Sequence, residues 1–184
     1  MNIMFRENAI KILANNEFDS LNTSMAQSII EDFWNVDESD NVWYKLPDFL
    51  KNELKENDPP IKPDKNKYKE LLLYGLSNKL EDGCNSFLEL ELTRIGIHEK
   101  IFGVEPNLIS CECCGYRSLR HAEFEICEVC YWQNCGGNVV LAMSLNKKSL
   151  HSARLSFSQI DVSSEQYMSV VSNERFIKYV RGNL

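Results

Sequence analysis

The chain is poor in glycine (8), proline (5) and histidine (3) across 184 residues, and its 20 bases are outnumbered by 27 acids. So little glycine and proline excludes collagen-like and low-complexity chains, and no tract of biased composition interrupts the sequence. The formal charge of −7 disfavours an ordinary nucleic-acid or anionic-membrane binder, since such partners repel an acidic surface unless its bases cluster. Long hydrophobic runs are missing as well: Leu71-Leu72-Leu73-Tyr74-Gly75-Leu76 is far too short for a membrane span. The amino terminus, MNIMFREN, carries a charged pair where a signal peptide needs an apolar core. A soluble, cytoplasmic protein is the expectation. His98 and His151 stand apart from any serine, cysteine or acid at a catalytic spacing, so no enzyme is expected.

What is present is a globular composition, 43% hydrophobic and 26% charged, with seven cysteines. An odd count cannot close into a purely intramolecular disulfide framework, and in a reducing compartment clustered cysteines more often bind metal. The charge is uneven: residues 1–110 sum to −8 and residues 111–184 to +1. The stretch 31–40 (EDFWNVDESD) holds five acids and no base, which fits either a solvated helix end or an acidic patch for a basic protein partner. In the second case Glu31, Asp32, Asp37, Glu38 and Asp40 supply the charge, and Trp34 and Trp43 supply aromatic anchors.

The front half reads as helical. Phe5, Ala9, Ile12 and Leu13 share one helical face; Met25, Ile29, Ile30, Phe33 and Trp34 share another, with Thr23 or Ser24 as cap. Pro47 suits the first turn of a helix that turns Leu46, Phe49, Leu50 and Leu54 inward. Residues 57–66 (NDPPIKPDKN), with three of the five prolines, form the clearest loop; Tyr68, Leu71, Leu72 and Leu76 then resume helical spacing. Leu88, Leu90 and Leu92 alternate with acids as in a strand, yet Leu88, Leu92 and Ile95 also share a helical face, and helix is preferred. Ser149 caps a helix carrying Leu150, Ala153, Phe157 and Ile160, and a last helix is expected through Tyr167, Met168 and Val171 toward Val180.

The segment 111–135, CECCGYRSLRHAEFEICEVCYWQNC, carries the chemistry. Cys111 with Cys114, and Cys127 with Cys130, are two C-x-x-C pairs separated by twelve residues. Each tight turn lets two thiolates converge while its amides donate to sulfur, and Gly115 supplies the conformational freedom such a turn needs. Two turns provide four soft ligands in the tetrahedral set that Zn²⁺ prefers; iron suits the same sulfur geometry. Between them, residues 116–119 and 123–126 are expected to pair as a hairpin around residues 120–122, with Phe124 and Ile126 facing inward. With four sulfurs bound, no position remains for water or substrate, so the metal is structural. Cys113, His121 and Cys135 are the candidates to replace a ligand, and Cys84 reads as a packing residue. Predominantly helical α+β architecture with a small Cys₄ zinc-ribbon β-hairpin is the expected fold.

These motifs resemble the bacterial cysteine-rich CPCC family, marked by C-P-C-C-G-Y and then E-I-C-P-V-C-[FY]-W. The chain has Cys111-Glu112-Cys113-Cys114-Gly115-Tyr116 and Glu125-Ile126-Cys127-Glu128-Val129-Cys130-Tyr131-Trp132. Weaker matches extend the resemblance over roughly residues 75–160. The chain is therefore divided into an acidic helical region (1–74), a cysteine-rich zinc-binding region (75–160) and a C-terminal helical segment (161–184). Both family prolines are replaced, by Glu112 and Glu128, which removes stiffness from the turns without removing a ligand. Some members of that family look like immunity proteins. The resemblance thus implies a protein that binds and neutralises a cognate toxin, basic and of nuclease type, as in contact-dependent growth inhibition. The alternative is a zinc-ribbon nucleic-acid binder or regulator using Arg117, Arg120, Lys147, Lys148 and Arg154. A redox enzyme built on Cys113 or Cys135 is the third reading.

Overall fold

Helices dominate the chain; among the described residues one short strand pair joins residues 3–5 to 100–102 and two others flank the cysteine turns, the predominantly helical α+β class expected. The computed structural model describes residues 2–182. It divides into two units, residues 1–81 with 91–102, and residues 82–90 with 103–184.

The first unit opens with strand β1 (Ile3–Phe5), which runs straight into helix α1 (Arg6–Ser20). Ala9, Ile10, Leu13, Ala14 and Phe18 form the buried face of α1; Phe5, expected on that face, is instead an exposed strand residue stacked edge-on against Phe102. β1 pairs in parallel with β2 (Lys100–Phe102), Met4 opposite Ile101. In α2 (Thr23–Asp32), the cap is Asn22 rather than Thr23 or Ser24: its carboxamide accepts from the Met25 amide at 2.9 Å. Ala26, Ile29 and Ile30 are buried, whereas Met25 lies outside the stripe. Pro47 sits one residue ahead of α3 (Asp48–Glu56), and only Leu50 of that helix is fully buried. The loop at 57–66 is present as expected, and in α4 (Lys69–Glu81) Leu71, Leu72 and Leu76 are completely inaccessible.

α4 packs on α1 and α2. Gly75 makes the second approach feasible, because a Cβ there would lie 2.5 Å from Ile29 Cγ2 and 2.9 Å from Phe33. Trp34 and Trp43 also belong to this core, 7% and 5% exposed. Trp34 donates its indole N–H to the Asn57 carbonyl at 2.8 Å and leans on Tyr68, while the Lys55 ammonium covers the Trp43 ring. Burying a large side chain stabilises by about 1.5–3 kcal/mol, which is why these rings turn inward from an acidic segment.

Helix α5 (Asn85–Arg94) contains the division between the units, and the 85–95 segment is helical as preferred. The second unit then adds β3 (Ile109–Ser110), β4 (Arg117–Leu119), β5 (Glu123–Ile126), β6 (Gln133–Cys135), α6 (Val139–Asn146) and α7 (Leu150–Ile160). Ser149 caps α7 by accepting from the Ser152 amide at 3.2 Å, as expected. The expected final helix is reduced to a 3₁₀ turn (Glu165–Tyr167) and one turn of helix, α8 (Arg175–Lys178), leaving Met168, Ile177 and Val180 exposed. Helix α6 was not anticipated; Asn138 caps it, accepting from the Val140 and Leu141 amides.

The expected central hairpin is replaced by two. β4 pairs antiparallel with β3, and β5 pairs antiparallel with β6. Each C-x-x-C turn closes its own hairpin, so residues 116–119 and 123–126 turn to outer partners rather than to each other. Phe124 takes φ +65° within an irregular β5, and Phe124 and Ile126 are 55% and 45% exposed instead of inward.

Candidate metal centre

The two turns are built alike. In the first, the Cys111 amide donates to Tyr116 O at 2.9 Å and the Gly115 amide returns to Cys111 O at 2.9 Å. In the second, the Cys127 amide donates to Trp132 O at 2.9 Å and the Tyr131 amide to Cys127 O at 2.8 Å. Each places its fifth residue in the left-handed region, Gly115 at φ +77° and Tyr131 at φ +63°. Glycine accepts that backbone freely, whereas tyrosine is strained there. In each, the amide two residues after the first cysteine points at its sulfur: Cys113 N to Cys111 Sγ at 3.4 Å, Val129 N to Cys127 Sγ at 3.3 Å. These donors offset negative charge on sulfur, the contribution expected of groups surrounding a metal ligand.

The turns bring Cys111, Cys114, Cys127 and Cys130 together with all four sulfurs within 4.8 Å of one another. All seven cysteines are free thiols, and these four are 0% exposed. Cys111 Sγ lies 3.7 Å from Cys130 Sγ, and Cys114 Sγ 3.6 Å from Cys127 Sγ. A tetrahedron with metal–sulfur bonds of about 2.3 Å has edges of roughly 3.8 Å, so the donor set and its spacing fit a tetrahedral thiolate metal site. Ser118, buried on β4, places its hydroxyl 3.0 Å from Cys127 Sγ. Nothing in the spacing of the cysteines points to it.

Burial and mutual contact shift the cage thiols in opposite directions. The Cys114 thiol, then Cys127, with burial adding to both, pushes the Cys111 thiol well up. At Cys127 burial works in the same direction, but hydrogen bonds from Cys111, Cys114, Cys130 and Ser118 outweigh it and hold that thiol well below the ordinary range. One thiolate is stabilised by its neighbours; several together need a cation.

Around the cage lie Leu108, Leu119, Val129, Trp132, Ala142, Ala153 and Tyr179, all buried. The remaining candidates fall outside it. Cys113 and Cys135 are buried but not among the four clustered thiols, and Cys135 donates to Gln133 O at 3.1 Å. Burial, then the Glu112 charge, raises the Cys135 thiol, which leaves it protonated and a poor nucleophile. His121 is exposed on the connection between β4 and β5. Cys84 packs at the start of α5, its amide donating to Lys178 O and its thiol to Ile177 O.

Both acids that stand inside the C-x-x-C turns make tertiary bonds. The Glu112 amide donates to Asn134 Oδ1 at 3.0 Å, and its carboxylate accepts from the Cys135 and Gly137 amides. Its carbonyl accepts from the Arg154 guanidinium at 2.8 and 3.0 Å. Glu128 accepts from the Lys178 ammonium at 2.8 Å and from the Tyr179 hydroxyl at 2.5 Å.

The acidic candidates lie in the first unit. Glu31, Asp32, Asp37 and Glu38 are exposed and Asp40 is half-buried, whereas Trp34 and Trp43 are core residues and offer no anchor to a partner. Asp37 and Asp40 close a turn: Asp37 accepts from the Ser39 hydroxyl and amide, bonds that hold its carboxyl below the usual range. Glu38 pairs with Lys55 at 2.9 Å.

Paired knuckles around four inaccessible thiols define a candidate tetrathiolate metal site. Residues 109–175 match the family model Cysteine-rich CPCC, and to that extent the segment is similar to this family. The match starts later and runs further than the sequence resemblance at 75–160, so α4 and α5 lie outside it. No curated protein and no solved structure matches the chain. No helix among the described residues is long and apolar enough to cross a membrane.

Proposed function

We propose that the four cysteines hold one Zn²⁺ as a structural ion, and that the protein acts by binding another protein rather than by catalysis. The observation that carries this reading is the completeness of the cage: four sulfurs, each fully buried, fill a tetrahedral shell and leave no open position for substrate. Bound there, Zn²⁺ supplies a cross-link between the two knuckles, with an apparent affinity on the order of 10–16 kcal/mol in small sites. Four thiolates and one Zn²⁺ deepen the formal −7 of the chain by two further charges.

The partner we infer is a cognate toxin with a basic surface, neutralised in the bacterial cytoplasm as in contact-dependent growth inhibition. Support comes from the exposed carboxylates of Glu31, Asp32 and Glu38, since complementary charge speeds encounter with a basic partner. With both tryptophans buried, charge rather than aromatic anchoring leads at this patch. Nucleic acid is disfavoured by the net-acidic chain, −7 in all, whose candidate bases are few. Arg120 pairs with Asp82, Arg154 with Glu112 O, Lys147 with Ser144 O, and Lys148 with Ser156 and Ser163.

Metal analysis of the purified protein is expected to return one zinc per chain. Co-expression with the toxin encoded immediately upstream is expected to restore growth, and charge reversal at Glu31, Asp32 and Glu38 to weaken that rescue. Growth arrest despite abundant folded protein would refute the immunity reading.

A further inference from the structure

The four site sulfurs have no exposed surface, so metal enters or leaves only when something covering them moves. The covering element tied to both knuckles is the C-terminal stretch 175–182, most of it beyond the matched segment. It reaches the second knuckle through Lys178 and Tyr179, both on Glu128, the residue between two cysteine ligands. It reaches the first through backbone bonds on the residues that follow Cys114: Arg117 N to Val180 O at 2.9 Å and Gly182 N to Gly115 O at 2.8 Å. Phe176 stacks on Tyr116 at 5.6 Å, and the Tyr179 ring is itself part of the buried cluster around the thiols.

Its own regular structure is one four-residue turn, α8, so its stability comes chiefly from these tertiary bonds and ring contacts. Segments with so little regular structure open at lower free energy than the core they cover. We propose that residues 175–182 form a strap that gates the metal centre, closed across both knuckles in this structure and opening locally to admit or release the ion. The inference rests on the metal reading above.

The strap carries its own reporter. The Cys84 thiol, 6% exposed, donates to Ile177 O at 3.4 Å, and its amide donates to Lys178 O at 2.9 Å. Lifting the strap uncovers Cys84, which lies outside the cage, so its alkylation measures opening independently of the metal.

The test uses the full chain loaded with one equivalent of Zn²⁺. Zinc extraction by an excess chromogenic chelator and Cys84 alkylation, located by peptide mass, are followed in parallel. Tyr179→Phe keeps the ring and removes the bond to Glu128; it is expected to speed both processes by the same factor, about tenfold. Phe176→Leu, which loosens the strap through a different contact, is expected to do likewise. Leu72→Ala, in the core of the first unit, is expected to change neither. Faster Cys84 labelling with unchanged zinc extraction overturns the strap and leaves the metal reading intact. A protein that takes up no zinc at the loading step overturns both.

Discussion

Restoring the family's proline at the first knuckle, Glu112→Pro, is expected to destabilise this chain although proline belongs to the motif it resembles. Proline removes the Glu112 N–H, and with it the bond to Asn134 Oδ1, on a side chain only 3% exposed. Leaving that buried oxygen without its donor costs about 1–3 kcal/mol. The carboxylate bonds to the Cys135 and Gly137 amides disappear as well, each charge-assisted and worth on the order of 1.5 kcal/mol at a half-buried site. Against this, a stiffer unfolded chain returns about 0.4–1 kcal/mol. The net loss is about 3–5 kcal/mol, a drop in Tm on the order of 10 °C or more for a unit of this size. Glu112→Gln separates the contributions, since it keeps the amide donor and loses only the charge, and it is expected to cost about half as much. Thermal melts of zinc-loaded wild type and both variants, read by near-UV circular dichroism, give the comparison. A proline variant as stable as wild type would show that knuckle stiffness outweighs the tertiary bonds of Glu112, refuting this account.

Three further outcomes follow from other parts of the molecule. Gly75→Ala is expected to lower stability by about 1–3 kcal/mol by overpacking against Ile29 and Phe33, despite the better helix propensity of alanine; an unchanged denaturation midpoint would contradict the packing. Glu53 is held below its ordinary value of 4.5 first by the Lys67 ammonium and then by the Tyr68 hydroxyl, so the folded state binds its proton less readily than the unfolded one. That stabilisation is complete above the unfolded carboxyl value and is lost as pH falls through the lowered folded value. Glu53→Gln should therefore melt earlier than wild type at neutral pH, by no more than about 1 kcal/mol for so exposed a pair, with the gap closing in acid. Chelation of the metal is expected to abolish the near-UV signal of buried Trp132 while the helical far-UV signal of the first unit persists, because α1, α2 and α4 contain no cysteine. Loss of both signals together would show that the units unfold as one.

Local signals in the sequence were translated faithfully. Leu71, Leu72 and Leu76 repeat at helical spacing and form the centre of a core; the C-x-x-C turns are closed within six residues, so their geometry follows from the segment alone. Long-range choices were not legible. Phe124 and Ile126 alternate like an inward strand face, but the partner of β5 is β6 beyond the second knuckle, and the bulged register turns both outward. Helix α6 was hidden because VVLAMSLN is apolar on every side and shows no 3.6-residue contrast. The tail failed as a helix for a related reason: Tyr179, Val180 and Gly182 find partners at Glu128, Arg117 and Gly115, fifty-one to sixty-seven residues away, and those bonds require extended backbone. Trp34 and Trp43 sit among acids in the sequence, yet their burial is decided by rings and carbonyls brought from elsewhere in the first unit.

The two acids that replace proline draw these threads together. A proline acts within its own turn, fixing one torsion whatever surrounds it. Glu112 and Glu128 act outward, the first on the turn after β6 and, through its carbonyl, on Arg154 of α7; the second on Lys178 and Tyr179 beside α8. Each knuckle is thereby fastened to a segment that is distant in sequence, and the two fastenings do not overlap. Rigidity that is local in the family pattern becomes tertiary in this chain, so the thiol geometry depends on whether the rest of the unit is folded around it. On the proposed metal reading, such a centre would lose its ion through loosening of its surroundings as well as through competition for its sulfurs. In that respect Glu128 is the pivotal position, because its partners belong to a short element whose Tyr179 packs in the buried cluster around the thiols.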